Sequence, residues 1–444
     1  MAAGDYNIEQ AKAAAADILF HNSNSLYGLG LQAWPYRERK DENWGEALSL
    51  AGAPESGSID QVSAFNAFIK ANPQVKYIWV QWLDYTSTMR GRMFPLQQFA
   101  KIIRKQRRLT IPQVAFDLLN DDRLASPTLR TGQFELQADM SSMYANVAKR
   151  DKVSSKSATV MAYGYLEDGE PYAECPRSTL RTMVNRLKDE NGINLLCGFE
   201  IEFVILQRSS LRKYHPLTTV HSWSQISSET SRVMPILEEI VECLSRIGIV
   251  AEQFHPESAP SQFELILAPS SPVHAVDTLL KTRQIITDVV ERHDLRASFH
   301  PRPFSFAAGS AAHSHISISP STHESFFLAG ILAHLPSILA FSLPQDDSYL
   351  RVKPGIWSGG EWVAWGTENK ETPIRKISPG RWEVKAVDGL SNMYLAISAL
   401  LAAGYLGIKN KLDLIQFDCD GKMLIPFLPP FLSYKALDFT ISWS

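Results

Sequence analysis

The sequence predicts an α+β protein whose main sheet is antiparallel or mixed and has its helices on the outside. Helical patterns precede strand patterns repeatedly, and the strand patterns alternate polar with apolar residues instead of forming solid apolar runs. The chain also contains neither a G-x-G-x-x-G turn nor a G-x-x-x-x-G-K-[ST] loop. A doubly wound nucleotide-binding fold is therefore not expected.

The first half of the chain contains a small unit of helix and strand. Residues 59–71 have apolar side chains at helical spacing and end before Pro73, which predicts a helix. A strand pattern follows at residues 77–83 and leads into a polar loop that begins with Asp84. We therefore expect an α+β unit over residues 73–165, with Asp84 at the end of a strand.

A larger unit begins near Pro176. Its helical patterns have apolar residues three and four positions apart, and they cover residues 180–191, 229–248 and 276–293. Its strand patterns are short and alternating, and they include residues 197–205, 262–264, 313–317 and 381–385. We expect one sheet with polar side chains from these four strands on a common face.

The composition is that of an ordinary globular protein and excludes several classes of function. The chain has 444 residues, of which 45% are apolar and 20% charged, and a net charge of −3 offers no basic surface for nucleic acid or membranes. The four cysteines form no C-x-x-C pair, which fits a reducing compartment and argues against structural zinc. Because the N-terminus has no signal-peptide pattern, we expect a cytosolic (cytoplasmic) protein.

One apolar stretch, residues 326–343, is long enough to span a membrane. It is interrupted by His334 and Pro336, and a proline cannot donate the backbone hydrogen bond of a helix interior. We therefore predict a buried helix that is broken at Pro336, and no membrane span.

Glu200 and Glu202 are the most informative residues of the chain. They lie two positions apart in an apolar strand pattern, so both carboxylates point to the same face. Two negative charges that close among apolar residues are costly unless a cation lies between them. Similar patterns recur at Gln262-Phe-Glu264, His313-Ser-His315-Ile-Ser317 and Arg381-Trp-Glu383-Val-Lys385. The four strands together predict a site for divalent metal ions.

Seven segments resemble those of the glutamine synthetase family, in order and spacing, over about residues 73–409. They are Gly198-Phe-Glu-Ile-Glu-Phe203, His255-Pro-Glu257 through Ser261-Gln-Phe-Glu264, Ser298-Phe-His-Pro-Arg-Pro303, Gly309-Ser-Ala-Ala-His-Ser-His315, Asp347-Ser-Tyr-Leu-Arg351, Asn369-Lys-Glu-Thr-Pro-Ile-Arg375 and Arg381-Trp-Glu383-Val-Lys385. A single segment is weak evidence, but seven in the family order are specific. Within the family, the chain is most similar in character to divergent synthetase-like proteins of filamentous fungi.

The resemblance implies an N-terminal β-grasp domain and a C-terminal catalytic domain with an antiparallel sheet. We divide the chain accordingly into an N-terminal extension with a helix (1–72), a β-grasp domain (73–165), a catalytic domain that binds ATP and metals (166–409) and a divergent C-terminal tail (410–444). The tail is apolar and broken by prolines, which is unlike the family.

The resemblance also implies two sites for divalent metals, one built from Glu202, Glu257 and Glu264 and the other from Glu200, His313 and Glu383. Carboxylate oxygens with a single imidazole suit Mg²⁺ or Mn²⁺ better than zinc. His255 has no implied role, and we expect it to be an ordinary buried or surface histidine.

The family reaction joins a carboxylic acid to an amine. The resemblance implies that ATP lies against a wall containing His315, Ser317, Arg375 and Arg381, and that the acid contacts Gly309, Arg351 and Lys385. ATP would phosphorylate the acid, and the amine would displace phosphate from the acyl phosphate. Guanidinium groups neutralise charge on the moving phosphoryl group, so Arg351 and Arg375 are the arginines expected to act in catalysis.

Asp84 matches a family aspartate that takes a proton from the attacking amine in the active site of a neighbouring subunit. The resemblance therefore implies a homo-oligomeric ring with active sites between subunits.

Three positions depart from the family pattern and concern the substrates. Trp357 stands where the family has a glutamate that helps to enclose ammonium, which favours an amine larger than ammonia. Lys385 stands where an arginine grips the amino-acid substrate, and lysine loses the bidentate contact, so glutamate is less secure as the acid. Lys370 replaces an arginine near the transferred phosphate and keeps its charge.

Two functions of different classes remain open. The first is an ATP-dependent amide ligase, and the presence of all six implied metal ligands favours it. The second is a catalytically impaired regulatory or scaffold protein that keeps the fold, and it is favoured by the departures at Trp357, Lys370 and Lys385. Phosphate release that depends on an added acid and amine would separate the two.

Overall fold

The chain folds into two sheets with separate hydrophobic cores. The computed structural model describes residues 60–116, 118–119, 121–124, 131–146, 155–209, 213–352 and 358–420. The N-terminal extension up to residue 59, Trp357 and residues 421–444 of the predicted tail lie outside the described residues.

Six described strands form the smaller sheet. They are β1 (Tyr77–Leu83), β2 (Met89–Pro95), β3 (Thr110–Pro112), β4 (Gln133–Ala138), β5 (Tyr144–Ala145) and β6 (Ser157–Tyr165). Their order is β2-β1-β6-β4-β3, with β5 also paired to β6, and β1 runs parallel to β6 while the other pairs are antiparallel. The strand predicted at residues 77–83 is confirmed.

Two helices accompany the smaller sheet, α1 (Gln61–Ala71) and α2 (Leu96–Ile103). The predicted first helix is confirmed, although Asp60 caps it by accepting a hydrogen bond from the backbone N–H of Val62. Phe65 of α1 and Phe99 of α2 meet in the smaller core with ring centroids 5.6 Å apart. α1 therefore packs with the smaller sheet.

The larger sheet contains nine of the described strands. They are β7 (Asn194–Arg208), β8 (Tyr214–Pro216), β9 (Ala251–Pro256), β10 (Gln262–Leu267), β11 (Leu295–Ser298), β12 (Ala312–Ser319), β13 (Trp365–Thr367), β14 (Ile374–Ser378) and β15 (Arg381–Val384). The order is β13-β14-β15-β12-β7-β10-β9, with β8 and β11 also paired to β7, and only the pair β13–β14 is parallel among these strands. The predicted antiparallel or mixed sheet is confirmed.

Helices pack with this sheet around the larger hydrophobic core. They are α3 (Pro176–Asn191), α4 (Ser228–Ser245), α5 (Pro272–Arg292), α6 (Glu324–Ser342), α7 (Asp346–Arg351) and α8 (Met393–Asn410). Alternate residues of β7, including Ile201, Phe203 and Ile205, belong to the larger core. Because side chains alternate along a strand, Glu200 and Glu202 lie on the opposite face. The fold thus separates an apolar face under helices from a polar face.

α6 and α8 approach each other so closely that glycine is required where they cross. A Cβ added at Gly330 would lie 2.1 Å from the carbonyl oxygen of Ala403, and one at Gly407 would lie 2.1 Å from that of Phe326. Any side chain at either position would push the two helices apart.

α6 continues through Pro336, so the predicted break at this proline was wrong. The helix is held by packing on its buried residues, which offsets the missing hydrogen bond of the proline. The segment Ser321–Ser342 and α8 are long and apolar enough to cross a membrane by length and composition, but 56% and 67% of their apolar windows are buried inside the protein. This burial is typical of core helices.

Candidate active site

The first cluster of polar side chains consists of Glu200, His313 and Glu383. Strand register places Glu200 of β7 opposite His313 of β12, and it places His315 of β12 opposite Glu383 of β15. His313 Nδ1 lies 3.0 Å from Glu200 Oε2 and 3.5 Å from Glu383 Oε1, and His315 Nε2 lies 2.8 Å from Glu200 Oε1. One donor atom from each member of the first cluster lies within 4.8 Å of the others. The structure therefore brings together the three residues that were predicted to form one metal site.

The second cluster consists of Glu202, Glu257 and Glu264, the residues predicted to form the other metal site. Glu202 of β7 lies opposite Glu264 of β10, and Glu257 follows the end of β9. Their donor atoms fall into two overlapping groups: Glu202 and Glu264 with His313, and Glu257 and Glu264 with His255. Glu264 belongs to both groups, and His313 links the second cluster to the first.

His255 contacts the second cluster, although no role was inferred for it from the sequence. Its Nε2 lies 3.2 Å from Glu264 Oε1 and its Nδ1 lies 3.9 Å from Glu257 Oε1. The hydrogen bond to Glu264 raises the pKa of His255. The contact arises from strand pairing, because β9 and β10 place His255 directly opposite Glu264. The pattern of a single sequence does not reveal this pairing.

The two clusters differ in their electrostatics. Burial opposes ionisation of Glu200, but hydrogen bonds from His313 and His315 outweigh it and lower the pKa of Glu200. Burial also opposes ionisation of Glu383, yet the charge of Lys385 overcomes it, and the pKa of Glu383 falls to about 2. In the second cluster, burial prevails and raises the pKa of all three carboxyls, to which neighbouring carboxylates contribute.

The second cluster therefore has an excess of buried negative charge. Within the described part of the chain, no lysine or arginine lies within ion-pair distance of its carboxylates. Hard carboxylate oxygens that converge without a protein cation are the donors that Mg²⁺ and Mn²⁺ prefer. This donor set fits a divalent ion.

Lys385 and Arg375 hold Glu383 from two sides. Lys385 Nζ donates to Glu383 Oε1 at 2.9 Å, and Arg375 Nη1 donates to Glu383 Oε2 at 3.1 Å. Arg375 also pairs with Glu368, which is half-exposed. The lysine at the position expected to contact the acid substrate is thus buried and paired within its own chain.

Arg351 is buried beside Gly309. Its Nη2 donates to the carbonyl oxygens of Lys385 and Val387 at 2.9 and 3.4 Å, whereas its buried Nε has no hydrogen-bond partner among the described residues. A Cβ at Gly309 would lie 2.3 Å from Arg351 Cγ and 2.4 Å from the carbonyl oxygen of Pro301. Glycine is therefore required at position 309 to let Arg351 pass.

Gln262 fixes the orientation of Glu202. Its Nε2 donates to Glu202 Oε2 at 2.9 Å and to the carbonyl oxygen of Gly309 at 2.8 Å. The backbone N–H of Ala311 donates to the same Glu202 oxygen at 2.9 Å. Because Oε2 is held by these donors, Glu202 Oε1 is the oxygen left to face His313.

These residues surround a cavity of about 230 Å³. Its wall contains both clusters and five further residues of the predicted site, namely Gly309, Arg351, Lys370, Arg375 and Lys385. Trp223 also lines the cavity, and the sequence predicted no role for it. The Trp223 ring lies 5.7 Å from the ring of His255, and Lys370 Nζ lies 5.2 Å from the Trp223 centroid. Trp357 is outside the described residues, so its predicted amine contact stays a prediction.

Three residues of the predicted ATP wall continue the polar face beyond the cavity. His315 contacts Glu200, and Ser317 lies two positions further along β12, opposite Arg381 of β15. Arg381 is exposed and Ser317 is half-buried. The fourth member, Arg375, lines the cavity itself.

Asp84 is not part of this cavity wall. It is buried at the end of β1, where its carboxylate accepts hydrogen bonds from the backbone N–H groups of Thr86 and Thr88 and pairs with Arg90 at 2.8 Å. Its backbone carbonyl accepts a hydrogen bond from Asn392 at 2.7 Å. Within its own chain, Asp84 anchors the loop between β1 and β2.

The mostly antiparallel sheet and the two acidic clusters on its polar face agree with the catalytic-domain fold of one family of ATP-dependent carbon–nitrogen ligases. The family model for the glutamine synthetase catalytic domain matches residues 173–422. The chain belongs to the glutamine synthetase family, and the resemblance inferred from the sequence is confirmed. Members of this family use ATP and divalent metals.

Three similar proteins illustrate the range of the family. The protein fluG of Emericella nidulans is 53% identical over 421 residues, which is 94% of this chain and 47% of fluG. The gamma-glutamylpolyamine synthetase GlnA3 of Streptomyces coelicolor is 30% identical over 271 residues, 56% of this chain and 58% of that protein. The solved structure of GmaS without ligand has a TM-score of 0.69 at 22% identity and covers 83% of this chain and 88% of that one. The chain thus spans about half the length of fluG.

Proposed function

We propose that the chain is an ATP-dependent carboxylate–amine ligase that forms an amide through an acyl phosphate, with an amine other than ammonia. The observation that carries the proposal is the convergence of the two clusters on one cavity together with Arg351 and Arg375. A γ-glutamyl amide or a related amide would be the product. The family reaction supports this class of chemistry.

We propose that the first and second clusters each hold one Mg²⁺ or Mn²⁺ ion. Such ions would neutralise the charge of the triphosphate, as carboxylate-bound Mg²⁺ does in other phosphoryl-transfer sites. His315, Ser317 and Arg381 would bind the nucleotide along the continuing polar face, and Arg375 would approach its phosphates from the cavity.

The acid substrate would lie near Gly309, Arg351 and Lys385, with Lys370 at the phosphate. An oxygen of its carboxylate attacks the terminal phosphorus, the bond to ADP breaks, and an acyl phosphate forms. The amine nitrogen then attacks the acyl carbon, inorganic phosphate leaves, and the nitrogen gives up a proton. Arg351 and Arg375 stabilise the negative charge that moves in both steps.

We propose that Asp84 takes this proton in the active site of a neighbouring subunit. The support is the match to the family aspartate; because the Asp84 carboxylate is buried and bonded to Thr86, Thr88 and Arg90 in its own chain, the role requires the loop between β1 and β2 to release it. This role requires a homo-oligomeric ring with inter-subunit sites, and it requires the smaller sheet to form the β-grasp domain of the family. A cytosolic location is also proposed, since all four cysteines are buried free thiols.

The proposed amine preference rests on two tryptophans. Trp223 offers a half-exposed apolar ring in the cavity wall, and Trp357, which lies outside the described residues, stands where the family has a glutamate. An aromatic face suits an alkylated or longer amine better than ammonium, which needs polar ligands. The relative GlnA3 is named a gamma-glutamylpolyamine synthetase, which agrees with such a preference.

One observation favours the alternative, a catalytically impaired regulatory or scaffold protein. Both carboxylate oxygens of Glu383 are bonded to Lys385 and Arg375, so a proposed metal ligand is already neutralised by the protein. A chain with this pairing in its working state would bind the metal of the first cluster weakly.

Phosphate release from ATP tests the proposal. The purified chain receives Mg²⁺ or Mn²⁺, glutamate, and ammonium, methylamine or putrescine in turn, and mass spectrometry identifies the amide. We expect release to require both acid and amine and to be faster with the organic amines than with ammonium. Trp357→Glu should shift the preference towards ammonium, because a carboxylate restores a cation ligand. A rate of phosphate release that does not change when glutamate or any of the three amines is added would reject the ligase and favour the scaffold.

A further inference from the structure

A second cavity lies between the smaller sheet and α5, outside the candidate active site. Its volume is about 430 Å³, compared with 230 Å³ for the cavity at the metal clusters. β1 and β6 supply part of one wall, α5 supplies the other, and Phe299 and Gly389 also line it. The proposed ligase chemistry uses none of the side chains in this cavity.

Lys281 of α5 is buried in this cavity with neutral partners only. Its Nζ donates to Asn146 Oδ1 at 2.6 Å, to Thr159 Oγ1 at 3.1 Å and to Gln284 Oε1 at 3.4 Å. Among the described residues, no carboxylate lies within ion-pair distance of it, and burial lowers the pKa of Lys281 to about 8. The site thus keeps a positive charge that the protein solvates but does not neutralise.

Arg283 is the second cation in the cavity and is less well satisfied. Its Nε and Nη2 are buried and have no hydrogen-bond partner among the described residues, and its guanidinium carbon lies 5.6 Å from the Phe299 ring centroid. Burial lowers the pKa of Arg283 to about 10, which the nearby charge of Asp388 opposes. Buried guanidinium donors are costly when unpaired, so a ligand that accepts from them gains affinity.

The acidic residues near the cavity leave room for an anion. Asp277 is neutralised by Arg177, whose Nη2 lies 2.6 Å from its Oδ2, and it also accepts a hydrogen bond from Tyr394. Asp288 lines the cavity and acts on Lys281 through its charge. Asp388 is buried and bonded to the backbone N–H of Leu390. Asp388 acts on Arg283 through its charge, but among the described residues no carboxylate accepts a hydrogen bond from the Arg283 Nε or Nη2, so these donors remain open to an anion.

The remaining wall of the cavity is largely apolar. It includes Leu83, Val160 and Met161 of the smaller sheet, Leu280 of α5, and Phe299, which follows β11. A ligand with a charged group for Arg283 would therefore bury an apolar body against this wall.

We propose that this cavity is a binding site for a small organic carboxylate that bridges the smaller sheet and α5. Arg283 receives the carboxylate, Lys281 supplies a second positive charge, and the apolar wall holds the rest of the molecule. The proposal does not depend on the ligase activity, because none of these side chains belongs to the metal clusters or to the cavity around them.

Isothermal titration of the purified chain without nucleotide tests the proposal. The probes are succinate, benzoate and inorganic phosphate, with succinamide as the uncharged match of succinate. We expect succinate or benzoate to bind and to raise the melting temperature, and succinamide to fail. Arg283→Gln and Lys281→Met should each weaken binding about tenfold or more, since each removes a charge-assisted contact.

Two further variants separate this cavity from other sites. Gln81→Trp fills the cavity from β1 without a change of charge and should abolish binding, whereas Arg296→Gln, an exposed arginine on β11, should leave it unchanged. Undiminished affinity in both Arg283→Gln and Gln81→Trp would overturn the proposal, and so would binding of phosphate alone. A loss of oligomer mass in Arg283→Gln without any carboxylate binding to the wild type would show a subunit contact instead, which also overturns it.

Discussion

The two clusters of the candidate active site are both rich in buried carboxylates, but the charge of these carboxylates is compensated differently. In the first cluster, imidazoles, Lys385 and Arg375 compensate the carboxylates inside the protein. In the second cluster, three carboxyls face one another, and among the described residues only histidines lie within ion-pair distance of them. A metal ion would therefore neutralise the carboxylates of the second cluster, whereas at the first cluster it would compete with Lys385 and Arg375 for Glu383.

Glu383→Gln tests the first cluster and should have the largest effect. The change leaves Lys385 buried without its carboxylate partner, and breaking a buried pair in this way costs about 3–5 kcal/mol of unfolding free energy. Urea unfolding in EDTA measures this loss. Glu368→Gln, which removes the half-exposed partner of Arg375, is the matched control and should cost no more than about 1 kcal/mol. An unfolding free energy equal to that of the wild type would show that the pair is not formed in solution.

Glu264→Gln tests whether the second cluster holds a metal ion. Glu264 belongs to both donor groups of this cluster, and the amide keeps its shape while removing its charge. We expect the affinity for Mn²⁺, measured by electron paramagnetic resonance, to fall about 100-fold or more. Mutation of a residue that only hydrogen-bonds to a metal ligand already lowers metal affinity about 10–100-fold, and loss of a ligand itself should lower it at least as much. Glu252→Gln, on an exposed position of β9, should not change it. Equal Mn²⁺ affinity in the two variants would show that Glu264 does not bind the metal and that the ion binds at another site.

The pH dependence of stability should distinguish the carboxyls of the two clusters by its sign and have the smallest effect. The second-cluster pKa values are raised by folding, so their contribution is present below the unfolded value of about 4.3 and is lost as the pH rises through the folded values. Glu383, with its pKa lowered to about 2, contributes stability above the unfolded value and loses it only as the pH falls towards 2.

We therefore expect the melting temperature in EDTA to fall by a few degrees, on the order of 1 kcal/mol, between about pH 5 and pH 7. Glu257→Gln should reduce this fall by removing one of the repelling carboxylates, and excess Mg²⁺ should remove it in the wild type. A melting temperature that rises over this range in EDTA would contradict the assigned electrostatics of the second cluster.

Much of the fold was predictable because strand and helix patterns are local. The strand at residues 77–83 and the shared face of Glu200 and Glu202 follow from the two-residue period of an extended chain. The break at Pro336 was predicted wrongly for the same reason, since a local rule ignores the packing that carries α6 through the proline. Local rules fail where distant neighbours supply the stabilisation.

The functional residues show the same limit. The motifs and their order identified the family, and they predicted the six proposed metal ligands, which the structure brings together in two clusters. They did not reveal that His255 lies opposite Glu264, that Trp223 lines the cavity, or that Lys281 and Arg283 line a second cavity between the smaller sheet and α5.

The amino-acid sequence thus established which residues share a face of each strand and to which family the chain belongs, since both depend on short-range spacing and residue type. The pairing of strands distant in the chain determined which donors meet and that Glu383 is neutralised by Lys385, and tertiary packing left the Nε and Nη2 of Arg283 without a hydrogen-bond partner among the described residues. Strand register and burial are set by packing across the whole core. The free energy of ionising a side chain depends on its burial far more than on its neighbours in the sequence.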